Sequence, residues 1–104
     1  MTTTPEQIAA AVADARKRGV IGRPSARRTG RNPEWPYVPV IITVNEVGTE
    51  SQKQILGKAF KTRTEAVEYA DSVIERWYVD LAKSLADPRY RALRQHYGLP
   101  RELA

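Results

Sequence analysis

The chain has no cysteine among its 104 residues and only one histidine. The first absence excludes disulfides, thiolate catalysis and zinc or iron–sulfur sites that depend on thiolates. The second leaves His96 without the partners that a catalytic triad or a metal site requires, so we interpret it as a helix-end residue. We therefore expect no catalytic site, no metal site, no cofactor and no small-molecule substrate.

Long apolar runs are also missing, and we expect no signal peptide. Residues 1–7 are polar and acidic, and the uninterrupted apolar runs extend over only a few residues, too few to cross a bilayer. Gly19, Gly22 and Gly30 are not followed by the Lys-Ser or Lys-Thr pair of a phosphate-binding loop. Together with the lack of cysteine, these absences predict a soluble, cytoplasmic protein that is not an enzyme and does not enter membranes.

Positive charge, in contrast, is concentrated in one segment. The formal net charge is +5. Residues 16–31 contain six arginines, one lysine and no acid: Arg16, Lys17, Arg18, Arg23, Arg27, Arg28 and Arg31. Such clustering favours a polyanionic partner, and arginine favours forked contacts with phosphate. We therefore predict nucleic-acid binding through these seven side chains, with duplex DNA as the partner.

The pattern of apolar and capping residues predicts an α+β fold. An N-terminal helix is expected within residues 1–18, with Thr4 as its cap and Gly19 at its end. Residues 37–104 are expected to form one small domain. Its predicted parts are a strand at 37–45, a second antiparallel strand at 54–61, a long helix from Thr62 to Ala86 that covers the hairpin, and a short C-terminal helix.

Residues 19–36 separate these parts and are rich in glycine, proline and arginine. This composition predicts a mobile basic arm through which no helix or paired strand runs. Trp35 and Tyr37 at its end could hold it to the core, which we favour, or stack on a ligand. Because Pro39 cannot donate to a ladder, that end of the first strand is expected on a sheet edge. A second copy of the chain could complete this edge or cover the wide apolar stripe through Trp77, so we predict a homodimer.

Two segments resemble known DNA-binding families. Gly22-Arg23-Pro24, flanked by Arg27 and Arg28, resembles the core of an AT-hook, although Ile21 stands where the hook has arginine. This resemblance implies an extended segment in the minor groove of A·T-rich DNA.

The second resemblance lies in the run Gly57-Lys58-Ala59-Phe60-Lys61-Thr62-Arg63-Thr64-Glu65-Ala66 and the helix after it. Over residues 37–82 the chain is similar to the arm-binding N-terminal domain of phage-type tyrosine recombinases, in which a small sheet packs on one helix and lies in the major groove. The resemblance implies that Lys53, Lys58 and Lys61 face DNA. The chain departs from that family in having two predicted strands rather than three and no recombinase catalytic domain.

Two alternatives stay open. The chain could be a protein-interaction module, such as a small regulator or inhibitor of phage or mobile-element origin, whose arm binds an acidic protein surface. The basic segment could also be only a solubilising linker.

Overall fold

The computed structural model describes all 104 residues, and its three α-helices and three-stranded antiparallel sheet confirm the α+β class. In chain order the elements are β1 (Thr2–Thr3), α1 (Pro5–Arg18), β2 (Arg23–Arg28), β3 (Tyr37–Val44), β4 (Glu50–Gln54), α2 (Arg63–Leu85), α3 (Arg91–His96) and β5 (Glu102–Leu103). The chain divides into two compact units, residues 1–19 with 77–104, and residues 20–76. No helix combines the length and the apolar character that a bilayer span needs.

The sheet belongs to residues 20–76 and has the strand order β2-β3-β4. Successive strands are antiparallel, so the three form a meander. The turn between β3 and β4 is closed by Asn45, whose side-chain oxygen accepts from the backbone N–H groups of Val47 (3.1 Å) and Thr49 (2.8 Å). The central strand supplies the buried side chains of the sheet, from Val38 to Ile42.

The expectation that no paired strand runs through residues 19–36 is wrong, because residues 23–28 form β2 at the edge of the sheet. The N–H and C=O of one strand residue point to the same side. The carbonyl of Pro39 accepts from the N–H of Ile55 (2.9 Å), so Pro39 and Ile41 point towards β4. Pro24 lies opposite Ile41, and its nitrogen therefore faces the open edge, where no ladder hydrogen bond is lost.

The second predicted strand is also misplaced. The structure puts β4 at residues 50–54, in the polar stretch that was expected to be the connection, and beyond Gln54 only an isolated bridge joins Phe60 to Tyr37. Most of β4 is exposed, so no apolar alternation marks it. The strand is formed by its pairing with β3 rather than by its own composition.

Pro39 does not lie on a sheet edge, because β3 is the central strand. Its nitrogen points to the β4 side, at the position just beyond the last ladder pair, Val40 with Gln54. A proline is tolerated there because the ladder has already ended. The predicted pairing of a second copy at Pro39 therefore loses its basis, and the homodimer stays a prediction.

The first part of α2 completes the core of residues 20–76. Thr62 begins the helix as predicted: its hydroxyl oxygen accepts from the Glu65 N–H (3.2 Å), and its O–H donates to the Glu65 carboxylate (2.9 Å). Buried positions recur at three- and four-residue spacing and form one apolar stripe. They are Ala66, Ala70, Val73 and Ile74.

In the other unit, α1 has the predicted bounds. The Thr4 side chain accepts from the Gln7 N–H (3.3 Å), the Gln7 side chain accepts from the Thr4 N–H (2.9 Å), and Gly19 ends the helix with a φ of 65°. The hydroxyl of Tyr78 donates to the carbonyl of Ala15 (3.4 Å). The buried residues of this helix are Ile8, Val12 and Ala15.

A buried arginine organises residues 77–104. Arg94 in α3 is 1 % exposed. Its guanidinium donates to the carbonyls of Leu85 (3.0 Å), Asp87 (2.7 Å) and Arg101, the last through two N–H groups at 3.2 and 2.8 Å. Leu85 is the last residue of α2, so the cation stabilises the negative end of that helix. The C-terminal residues then pair as β5 with β1 in a two-residue parallel ladder.

Candidate nucleic-acid interface

The seven clustered cations belong to two different compact units. Arg16, Lys17 and Arg18 form the last turn of α1, where they complement the helix dipole. Arg18 pairs with Asp14 (2.9 Å), and the Arg16 guanidinium lies 5.1 Å from the ring centroid of Tyr78. The other four lie in the β2–β3 hairpin, and we call them the hairpin arginines: Arg23, Arg27, Arg28 and Arg31.

Two hairpin arginines reach across the central strand. Arg23 Nη2 donates to Glu50 Oε1 (2.9 Å), and Arg27 Nη2 donates to Gln54 Oε1 (2.7 Å). Because the acceptors belong to β4, each contact spans two strand spacings, about 10 Å. The bridging side chains lie on the same face as Val40 of β3, which is 2 % exposed.

These contacts leave the arginines accessible. The side chains of the Arg23–Glu50 pair are 60 % and 55 % exposed. An exposed pair of this kind contributes no more than about 1 kcal/mol, so a stronger anion can replace the carboxylate. Arg27 is bound to a neutral amide, and its charge is not neutralised by that contact.

The two sheet faces differ in chemistry. Arg23, Arg27, Glu50 and Gln54 share one face, where these polar side chains of the outer strands flank the buried β3 residues Val38, Val40 and Ile42. The opposite face carries the buried residues Ala26, Pro39 and Ile41. Arg28, opposite Tyr37, lies on this second face, at the end of β2 where the cavity described next begins.

The β2–β3 loop and the adjoining strands enclose an open cavity of about 530 Å³. Arg27, Arg28 and Arg31 line it, and no acidic residue does. Arg28 and Arg31 make no ion pair and no side-chain hydrogen bond within the chain. The remaining lining residues are Thr29, Gly30, Asn32, Trp35, Val38, Gln54, Leu56 and Ala59. The cavity is thus a concave surface of positive charge, which focuses the field on an incoming anion.

The three lysines predicted to face DNA do not form one surface with the hairpin arginines. Lys53 lies in β4 opposite Ile41, on the sheet face away from Arg23 and Arg27. Lys58 Nζ lies 5.7 Å from the ring centroid of Tyr69. Lys61 Nζ lies 5.0 Å from the ring centroid of Trp35, which places Lys61 beside a residue that lines the cavity.

The segment Gly22-Arg23-Pro24 is held in the sheet rather than extended on its own. Gly22 has a φ of 123°, and a Cβ on it would lie 2.7 Å from both Ile41 Cγ2 and the Ile42 carbonyl oxygen. Glycine is therefore required by the close approach of this segment to β3. Arg23 and Pro24 are paired residues of β2.

Asp87 has a strongly shifted pKa and lies in the turn before α3. The side-chain hydrogen bond from Arg89 lowers the pKa of this carboxyl from 3.8 to about 2, and the Arg89 backbone N–H contributes further. Arg89 Nη2 is 2.8 Å from Asp87 Oδ2. The pair belongs to the unit that carries Arg94, not to the basic cavity.

Comparisons with protein-family models, with curated proteins and with solved structures find no match to this chain. The candidate interface therefore depends on the geometry alone. Sequence reasoning found its arginines but not Asn32, Gln54 or Leu56, and for Trp35 it favoured holding the loop over stacking on a ligand. The Asn32-Pro33 pair, a turn signal, could have indicated an ordered loop.

Proposed function

We propose that this chain is a small, non-enzymatic nucleic-acid-binding accessory protein of the cytoplasm that holds duplex DNA through the hairpin arginines. The observation that carries this proposal is the cavity that Arg27, Arg28 and Arg31 line without an acidic residue among the lining. A guanidinium forks onto phosphate oxygens and releases counterions from the duplex. Arg23, on the same sheet face as Arg27, extends the basic surface.

The sheet architecture supports the same proposal. β2 adds a third strand to the β3–β4 hairpin, and α2 follows the sheet in the chain. Residues 37–82, over which the chain resembles recombinase arm-binding domains, supply β3, β4 and most of α2. We assign the phosphate contacts to the hairpin arginines rather than to Lys53 and Lys58, because neither of these lysines lines the cavity.

Salt dependence of binding tests this assignment. Binding of a fluorescent DNA duplex is measured by anisotropy over a range of salt concentrations, for the parent chain and for the triple variant Arg27→Gln, Arg28→Gln, Arg31→Gln. Each phosphate contact contributes about 0.9 to the slope of log K against log salt. The triple variant should therefore bind more weakly, with a slope smaller by about 2.7.

A matched control removes the same charge elsewhere. Lys83, Arg91 and Arg101 are exposed residues of the other unit, and their triple glutamine variant should keep the parent slope. The proposal is overturned if the parent fails to bind duplex at low salt, or if both triple variants lose the same slope. Failure at low salt would favour the alternative in which the cations bind an acidic protein surface.

A further inference from the structure

We propose that the basic cavity takes an unpaired nucleotide, whose base stacks on Trp35 while its phosphates contact Arg28 and Arg31. This inference builds on the proposed function and names the part of a nucleic acid that the site recognises. The cavity volume of about 530 Å³ falls within the range of small-ligand sites. Its lining combines an aromatic ring and apolar side chains with three cations, which matches the apolar base and anionic phosphate of a nucleotide.

Trp35 offers an accessible aromatic surface. It is 40 % exposed, although most large apolar side chains in a folded domain are covered. Leu56, at 83 % exposure, lies on the same cavity. A stacked base would cover both side chains and remove their apolar surface from water, which gives binding free energy that phosphate contacts alone do not supply.

The loop holds Trp35 in position before any ligand arrives. The Thr29 N–H donates to the Pro36 carbonyl (2.6 Å), and the Trp35 N–H donates to the Asn32 carbonyl (3.2 Å). The side-chain oxygen of Asn32 accepts from the Glu34 N–H (3.0 Å). Lys61 lies over the indole ring. Little conformational entropy is therefore lost when a base stacks on this ring.

The polar groups of the cavity fall into two sets, cations that can bind phosphate and amides that can bind the edge of a base. Arg28 and Arg31 are uncommitted and can bind phosphate oxygens, whereas Arg27 is bonded to Gln54. That bond occupies the Gln54 side-chain oxygen and leaves its amide nitrogen as a donor. The Asn32 side chain likewise has its amide nitrogen left as a donor, because its oxygen accepts from the Glu34 N–H. Both amides can donate to the acceptor groups on the edge of a base.

Only an unpaired nucleotide can use this arrangement. In a duplex each base is stacked on its neighbours, so no base face is free for the Trp35 ring. In single strands, loops and ends the bases can be splayed out onto aromatic side chains. Phosphate binding therefore serves both kinds of nucleic acid, and Trp35 confers a preference for the unpaired kind.

Tryptophan fluorescence tests the stacking directly. The chain has two tryptophans, Trp35 and Trp77. An oligothymidylate of about 12 nucleotides should quench the fluorescence of the parent chain, and a blunt duplex should quench it far less. In the Trp35→Phe variant only Trp77 emits, so the quenching should disappear while the anisotropy-measured affinity for the oligonucleotide stays within about threefold, since phenylalanine also stacks.

Truncation of the ring gives the energetic test. Trp35→Ala should weaken oligothymidylate binding by about 5- to 100-fold and leave duplex binding nearly unchanged. Tyr90→Ala is the matched control, because Tyr90 is 44 % exposed and lies in the other unit. Circular dichroism shows whether the alanine variant folds, and the quenching experiments do not depend on that variant.

The outcomes separate the two proposals. If duplex binds with the expected salt dependence but the oligonucleotide neither quenches Trp35 nor responds to Trp35→Ala, the stacking site is refuted and the phosphate surface stands. Equal losses for duplex and oligonucleotide in Trp35→Ala also refute it, because the ring would then act only on the loop. If neither nucleic acid binds at low salt, the proposed function itself fails.

Discussion

Replacement of Arg94 by methionine tests the buried cation in α3. Methionine retains an apolar stem but donates no hydrogen bond, so three carbonyl oxygens, those of Leu85, Asp87 and Arg101, lose four N–H donors. A buried carbonyl left without a donor costs about 1 kcal/mol at the low end of the usual range. The low end applies because removal of a buried charge returns part of its desolvation free energy. The free energy of unfolding should fall by about 3 kcal/mol.

Urea unfolding followed by circular dichroism measures this loss, and thermal melting should show a Tm lower by about 12–24 °C. Arg91→Met is the control, because Arg91 is exposed on the same helix, and it should change the unfolding free energy by less than about 0.5 kcal/mol. Arg94→Lys should fall between the parent and Arg94→Met, since an ammonium group cannot copy the planar fork of donors. An Arg94→Met variant within about 1 kcal/mol of the parent would refute the reasoning, because the carbonyls would then have found other donors.

Two further substitutions test packing and titration. Gly22→Ala should lower the free energy of unfolding by about 1–3 kcal/mol, because the new Cβ would lie 2.7 Å from Ile41 Cγ2. Gly30→Ala is the control: a Cβ at Gly30 meets nothing within 4 Å. In the same urea experiment it should change the free energy of unfolding by less than about 0.5 kcal/mol. The Asp87 carboxylate stabilises the fold above pH 3.8 and ceases to do so as the pH falls through about 2. Thermal melts should therefore show a Tm deficit for Asp87→Asn at neutral pH that disappears towards about pH 2, and a deficit independent of pH would contradict this.

The helices could be predicted because their boundaries depend on local hydrogen bonds. Thr4 and Gln7 lie three residues apart and satisfy each other's backbone groups, and Gly19 adopts the left-handed conformation that ends α1. The same short-range chemistry places Thr62 at the start of α2. A capping pattern depends only on residues that are close together in the sequence, so it can be recognised without knowledge of the tertiary fold.

The outer strands could not be predicted because nothing local defines them. β2 and β4 are polar and largely exposed, and each becomes a strand by pairing with the apolar β3. Pro24 is compatible with β2 only because its nitrogen faces the open edge of the sheet. The register, which pairs Pro24 with Ile41, determines the direction in which that nitrogen points. Arg94 is similar, since the three carbonyls that it binds come from the end of α2 and from the turns on both sides of α3.

The salt dependence of binding also measures how many of the seven clustered cations act on one polyanion. Arg16 to Arg18 end α1, in the unit that does not contain the cavity, and the proposed function assigns them no phosphate contact. Three cations line the cavity, and Arg23 lies on the same sheet face as one of them. Seven phosphate contacts would give a slope of about 6 in log K against log salt, whereas three or four give about 3. The parent chain should therefore show the smaller value, and a slope near 6 would mean that the end of α1 also contacts the nucleic acid.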